Sequence, residues 1–149
     1  MRARTFAVSS ALLLAVAGCG AQTSGDPPPE SPPSTSYVPV SVHQTGGIAG
    51  IDERVTVDPH GAWTKTTRGA TTSGRLSGEQ RARLQVLATD PRLAAEALRT
   101  GTANLCADAF TYTVTVAAVT VKYGDCGADP EQPQAAMAIV AFLDQVIPD

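Results

Sequence analysis

The chain has 149 residues, which is room for one domain rather than several. Its net charge of −3, without any basic stripe, argues against binding to nucleic acid. Three cysteines and two histidines without ligand spacing exclude a zinc cluster. Motifs of serine hydrolases, zinc peptidases and phosphate-binding loops are also missing, so the sequence favours a protein without enzymatic activity, metal or cofactor.

The N-terminal segment has the order of a bacterial export signal. Two arginines precede an uncharged stretch at residues 7–17, which is too short to span a membrane core that needs about 20 apolar residues. Residues 16–19 read VAGC and resemble the lipobox of bacterial lipoproteins, where a diacylglycerol is attached to the cysteine. The resemblance implies a signal peptide at 1–18, lipidation at Cys19 and anchoring to the outer face of the plasma membrane. The alternative is an ordinary secretory signal with a chance cysteine.

Residues 19–36 have the composition of a linker between the lipidated cysteine and the domain. Six of the eleven prolines lie at 27–39, and residues 20–36 contain no aliphatic side chain larger than alanine. Such a segment cannot bury a core, so we expect a disordered, extended tether that reaches about 50 Å. A Pro-rich ligand for another protein is the alternative. The folded domain then comprises residues 37–149.

The domain begins with a predicted β-hairpin. Valines alternate with polar or small residues before the two glycines at 46 and 47, which is the period of a half-buried strand. A two-residue turn at these glycines would place Val42 opposite Ile51 and Val38 opposite Val55, so that one face of the hairpin is apolar.

A second turn is predicted at residues 58–61, where Asp, Pro and Gly occupy their preferred turn positions. The chain would return as a strand at 62–67, which carries the single tryptophan, Trp63. Residues 68–75 are rich in Gly, Ser and Thr and are predicted to form a loop.

Two helices are predicted next. Ser77 and Gln80 have the spacing of a capping box, which starts the first helix. Asp90 would cap a short second helix with Pro91 in its first position. The apolar side of this second helix is expected to consist of Leu93, Ala94, Ala97 and Leu98.

A second hairpin and a last helix complete the prediction. Apolar residues alternate with threonines at 110–123, and a turn at residues 117 and 118 pairs Val116 with Val119 and Tyr112 with Tyr123. Residues 133–147 have the broad apolar side of a helix. These elements predict an α+β fold, an antiparallel sheet of hairpins with helices packed on one face.

The remaining polar candidates receive mostly structural interpretations. In an exported protein, Cys106 and Cys126 should form a disulfide across the open end of the second hairpin, with a redox-active thiol pair as the alternative. His43 is predicted at a strand end and His60 in a solvated turn, with no carboxylates spaced to complete a metal site. Residues 52 and 53, Asp and Glu, are interpreted as a solvated strand edge rather than an acid/base pair.

Three short patterns resemble the emfourin family, small protein inhibitors of thermolysin-like metallopeptidases. They are VHQTGGIAG at 42–50, the helix opening Leu76-Ser77 with Leu84, and DAFTY at 108–112. The resemblance implies a non-enzymatic inhibitor of a metallopeptidase. The predicted lipid anchor, which departs from the family pattern, would direct such an inhibitor to an exported metallopeptidase. The alternative is an envelope lipoprotein that binds another ligand or partner.

A partner contact is predicted at the glycine-rich turn, because a backbone without side chains can approach a partner closely. A purely structural turn is the alternative. The residues of this prediction are Gly46, Gly47, Ile48, Ala49 and Gly50.

Overall fold

Six antiparallel strands and three helices form the part of the chain that the computed structural model describes, residues 37–99, 108–126 and 131–148. The strands are β1 Val40–Gly46, β2 Ile51–Val57, β3 Ala62–Thr67, β4 Ala70–Arg75, β5 Phe110–Val116 and β6 Val119–Gly124. The helices are α1 Gly78–Ala88, α2 Arg92–Ala97 and α3 Gln134–Val146. The sheet order β4-β3-β2-β1-β5-β6 confirms the predicted α+β class. The predicted signal peptide, the predicted tether, Cys19 and Cys106 lie outside the described residues.

The two faces of the sheet differ in composition. Alternate residues of β1, β2 and β5 are valines that share one core with Ile139 and Leu143 of α3. The residues between them lie on the second face, here called the polar face, where Ser and Thr predominate. The hydroxyl residues of the polar face are Ser41, Thr45, Thr56, Thr64, Thr66, Thr71, Ser73, Thr111, Thr113, Thr115 and Thr120. The helices therefore cover one face of the sheet, as the alternation predicts.

The register of the first hairpin differs from the predicted one. The turn contains four residues, 47–50, so that Gly46 pairs with Ile51 and Val42 pairs with Val55 rather than with Ile51. Gly46 still belongs to β1 because it also pairs with Phe110 of β5. The shift moves each partner by an even number of residues, so Val42 stays on the predicted, buried face.

The turn between β2 and β3 forms as predicted. The Gly61 N–H donates to the Asp58 carbonyl at 3.0 Å, and Gly61 adopts φ +81°. Asp58 Oδ1 also accepts from the backbone N–H groups of Ala62 and His60, both at 2.8 Å. These two hydrogen bonds, that of Ala62 first, hold the pKa of Asp58 below its ordinary value.

The predicted loop at 68–75 is wrong, because residues 70–75 form the edge strand β4. Every residue of β4 is exposed, so the strand has no apolar alternation that a sequence pattern could show. A two-residue turn joins β3 to β4, and both of its residues have positive φ, +50° at Arg68 and +84° at Gly69.

Helix α1 begins with the predicted capping box. Ser77 Oγ accepts from the Gln80 N–H at 3.1 Å, and Gln80 Oε1 accepts from the Ser77 N–H at 2.8 Å. Helix α2 begins at Arg92, one residue later than predicted. Asp90 Oδ1 accepts a hydrogen bond from the Arg92 backbone N–H at 2.9 Å.

The apolar side predicted for α2 is only partly correct. Leu93 is buried, but Ala94 is exposed and Leu98 is 87% exposed. Glu96 is buried instead, with 5% of its surface exposed. Its carboxylate accepts from the N–H groups of Ala135 at 2.9 Å and Ala136 at 3.0 Å, in the first turn of α3. The residue before α3, Pro133, provides no side-chain cap, so Glu96 accepts from the N–H groups that would otherwise be unpaired at the start of this helix.

The β5–β6 hairpin has the predicted register. Val116 pairs with Val119, and Tyr112 pairs with Tyr123, whose ring stacks on it at 5.1 Å between centroids. The turn contains two residues even though alanine is poorly suited to it, and Ala117 adopts φ +50°. Burial raises the pKa of Tyr123, and the neighbouring Tyr112 acts in the same direction.

Candidate functional site

The glycine turn, residues 46–50, is fixed against the start of β5. The Gly47 N–H donates to the Ala109 carbonyl at 3.4 Å, and the Gly50 N–H donates to the Gly47 carbonyl at 3.1 Å. A Cβ on Gly46 would lie 2.7 Å from the Ala109 oxygen, and a Cβ on Gly47 would overlap the Phe110 ring. With φ of +103°, +69° and +58° at its three glycines, the turn has a backbone path that other residues rarely adopt.

Ile48 lies at the apex of this turn and is 91% exposed. Its neighbour Ala49 is also exposed, so nothing large flanks the isoleucine side chain in the turn. The glycine turn therefore presents a single branched apolar side chain on a constrained backbone. Such a side chain can enter an apolar pocket of a partner without much further ordering of the loop.

A polar cluster lies on the polar face near the same end of the sheet. His43 Nε2 is 2.8 Å from Asp52 Oδ1, and the Arg54 Nη2 atom donates to His43 Nδ1 at 3.0 Å. The prediction that His43 lies at a strand end is wrong, because it occupies the middle of β1 and pairs with Arg54.

Asp52 and Glu53 lie on opposite faces of β2 and therefore do not act as a carboxylate pair. Their strand is inside the sheet, between β1 and β3, so the predicted strand edge is wrong as well. Asp52 is exposed, whereas Glu53 is part-buried, accepts from the Thr67 hydroxyl at 2.8 Å and pairs with Lys65 at 3.4 Å.

A shallow groove of about 740 Å³ lies at the other end of the polar face. The Thr56 and Thr64 hydroxyls are 2.6 Å apart and hydrogen-bond each other, which leaves the groove largely apolar. Its lining includes Pro39, Pro59, Ala62, Thr64, Ser73 and Thr115. No local sequence pattern indicates this groove, because five strands and two turns contribute to it.

The other predicted site residues have simple surroundings. His60 is exposed in its turn, and its carbonyl accepts from Arg75 at 2.9 Å. Cys126 is buried, and since Cys106 is not among the described residues, their pairing remains a prediction.

Within residues 37–99, 108–126 and 131–148, no group of three His, Cys, Asp or Glu side chains could hold a metal ion. None of the helices in these ranges is long and apolar enough to cross a membrane.

No model of a protein family matches the chain. No curated protein matches it significantly in sequence. Inference about the function of the chain therefore rests on its sequence motifs and on the geometry of the glycine turn.

Proposed function

We propose that the chain is an exported lipoprotein whose domain is a non-enzymatic inhibitor of a thermolysin-like metallopeptidase. The observation that carries this proposal is the exposed Ile48 at the apex of a backbone-fixed turn. The short patterns shared with the emfourin family support the class of target.

The geometry of the glycine turn suits an inhibitor. Peptidase clefts contain apolar pockets that receive substrate side chains, and burial of an isoleucine contributes about 1.5–3 kcal/mol. Because the turn is held by hydrogen bonds to Ala109 and within itself, little conformational entropy is lost when it binds. A turn fixed in this way also resists the distortion that peptide cleavage needs.

Ile48→Asp is expected to weaken inhibition by about 30-fold, which corresponds to about 2 kcal/mol at an interface hot spot. The inhibition constant against a thermolysin-like enzyme measures the effect. Val86→Asp is the matched control, because Val86 is 71% exposed on α1. The neighbouring Gln85 accepts from the Val38 N–H, at the end of β1 opposite the turn. Equal inhibition by the Ile48 variant and the wild type would exclude the glycine turn as the contact surface.

We further propose that Cys19 carries a diacylglycerol and that residues 19–36 are the tether between the membrane and the domain. One acyl chain binds a membrane only marginally, whereas two chains anchor a protein stably. The anchor would place the domain outside the plasma membrane, where it meets exported peptidases.

Cys19→Ala should abolish processing or release the chain from the membrane. Phase separation in a detergent distinguishes the two forms, since only the lipidated chain enters the detergent-rich phase. Substitution of the buried Cys126 by alanine is the control for general effects of losing a cysteine. Unchanged partitioning of the Cys19 variant would refute the anchor.

The apolar groove favours a second candidate, an envelope lipoprotein that binds a different partner or ligand. Capture of partners from envelope extracts with the full chain separates the two functions. Capture of a metallopeptidase that Ile48→Asp weakens supports inhibition. Capture of another component that Ile48→Asp leaves unchanged supports the alternative.

A further inference from the structure

A polar cavity of about 310 Å³ opens on the polar face beside the β3–β4 turn. It is separate from the apolar groove, with which it shares no lining residue. Two guanidinium groups and an imidazole face it, together with one carboxylate. Its lining consists of His43, Asp52, Arg54, Thr66, Arg68 and Gly69.

Hydrogen bonding fixes one wall of this cavity. Arginine can only donate, so His43 Nδ1 must accept from Arg54, and His43 Nε2 then donates its proton to Asp52. Asp52 is thereby held by a neutral imidazole, and its negative charge remains in the cavity. In the described part of the chain, neither Arg54 nor Arg68 forms an ion pair with a carboxylate.

Arg68 occupies an unfavourable backbone position. It is the first residue of a two-residue hairpin turn with φ +50°, where asparagine, aspartate or glycine is preferred. Arg68, whose guanidinium has five donors, thus lines the cavity from a backbone conformation that arginine rarely adopts. Strain of this kind concentrates at functional sites.

We propose that this cavity binds a carboxylate group. A guanidinium fork matches a carboxylate in plane and spacing, and two of them line the site. Two cations and Asp52 leave one positive charge, which one monoanion balances. A phosphate, with a charge of about −1.5 to −2, would leave excess negative charge. None of the residues that line this cavity belongs to the glycine turn, and the proposal does not depend on the proposed inhibition.

Titration of the full chain in detergent micelles with acetate, followed by NMR at the Thr66 and Gly69 amides, tests the proposal. We expect saturable shifts with acetate and weaker binding of inorganic phosphate. Arg68→Asn should weaken acetate binding by about tenfold through loss of a charge-assisted contact, while thermal stability is kept or raised because asparagine suits positive φ.

Lys122→Gln is the matched control, since it removes the same charge from the same face on β6 and should leave the titration unchanged. The carboxylate could belong to a partner protein or to a small free acid. A short peptide with a free C-terminal carboxylate and its amidated form distinguish these two sources. Tighter binding of the free-acid peptide than of acetate assigns the site to a partner protein, and equal binding assigns it to a small free carboxylate. No saturable shift, tighter binding of phosphate, or an unchanged titration of Arg68→Asn would overturn the proposal.

Discussion

Glu96→Ala is expected to lower the free energy of unfolding by about 3 kcal/mol. The substitution removes a buried carboxylate that accepts two hydrogen bonds from the Ala135 and Ala136 N–H groups. Both donors are at the start of α3, where the negative charge also stabilises the helix dipole. Without Glu96 these donors stay buried and unsatisfied, because the residue before the helix, Pro133, offers no side-chain cap.

Urea denaturation of the wild type and three variants measures this effect. Glu79→Ala is the control, since Glu79 is exposed in the first turn of α1, and its loss should change stability by less than about 0.5 kcal/mol. Glu96→Gln should fall between them, because the amide keeps one acceptor but points a donor at the other N–H. Equal stability of Glu96→Ala and Glu79→Ala would contradict the assignment of Glu96 as the cap of α3.

Gly46→Ala is also expected to lower the free energy of unfolding by about 3 kcal/mol. The residue has φ +103°, and an added Cβ would lie 2.7 Å from the Ala109 backbone oxygen, which cannot move without β5. Gly50→Ala is the matched control, because Gly50 also has positive φ, +58°, but a Cβ there meets nothing within 4 Å. This control should lose only about 1 kcal/mol, the cost of the left-handed backbone itself.

Thermal or urea unfolding of the two alanine variants separates the cost of the contact with β5 from the cost of the left-handed backbone. A clear difference between them means that contact with β5 fixes the position of the glycine turn. Losses of equal size would show that only the backbone angles matter and that β5 does not constrain the turn. Such a result would also weaken the proposed role of the turn as a preorganised binding loop.

The fold was predictable where local pattern and turn length agreed. In the β5–β6 hairpin, alternation on both strands left one register with an apolar face, and the structure has that register. The first hairpin was harder, because small residues at 46, 47, 49 and 50 are compatible with more than one turn length. The edge strand β4 was missed because all its residues are exposed, and exposure on both faces removes the alternation.

The site was predictable only where neighbours in sequence form it. The glycine turn could be recognised from its own residues, although its contact with Phe110 depends on the sheet order. The capping role of Glu96 could not be recognised from the sequence, because the residues it bonds lie 39 and 40 positions away. A helix that follows a proline without a capping side chain indicates that a distant acceptor is needed, but it does not indicate which one. The cavity at Arg68 likewise requires the register of β1, β2 and β3.

Titration of a thermolysin-like metallopeptidase with the full chain tests the proposed inhibition. We expect peptidase activity to fall in proportion to the added chain and to reach its minimum near one chain per enzyme. Full activity at molar excess, across a panel of such enzymes and with a folded chain, would contradict it.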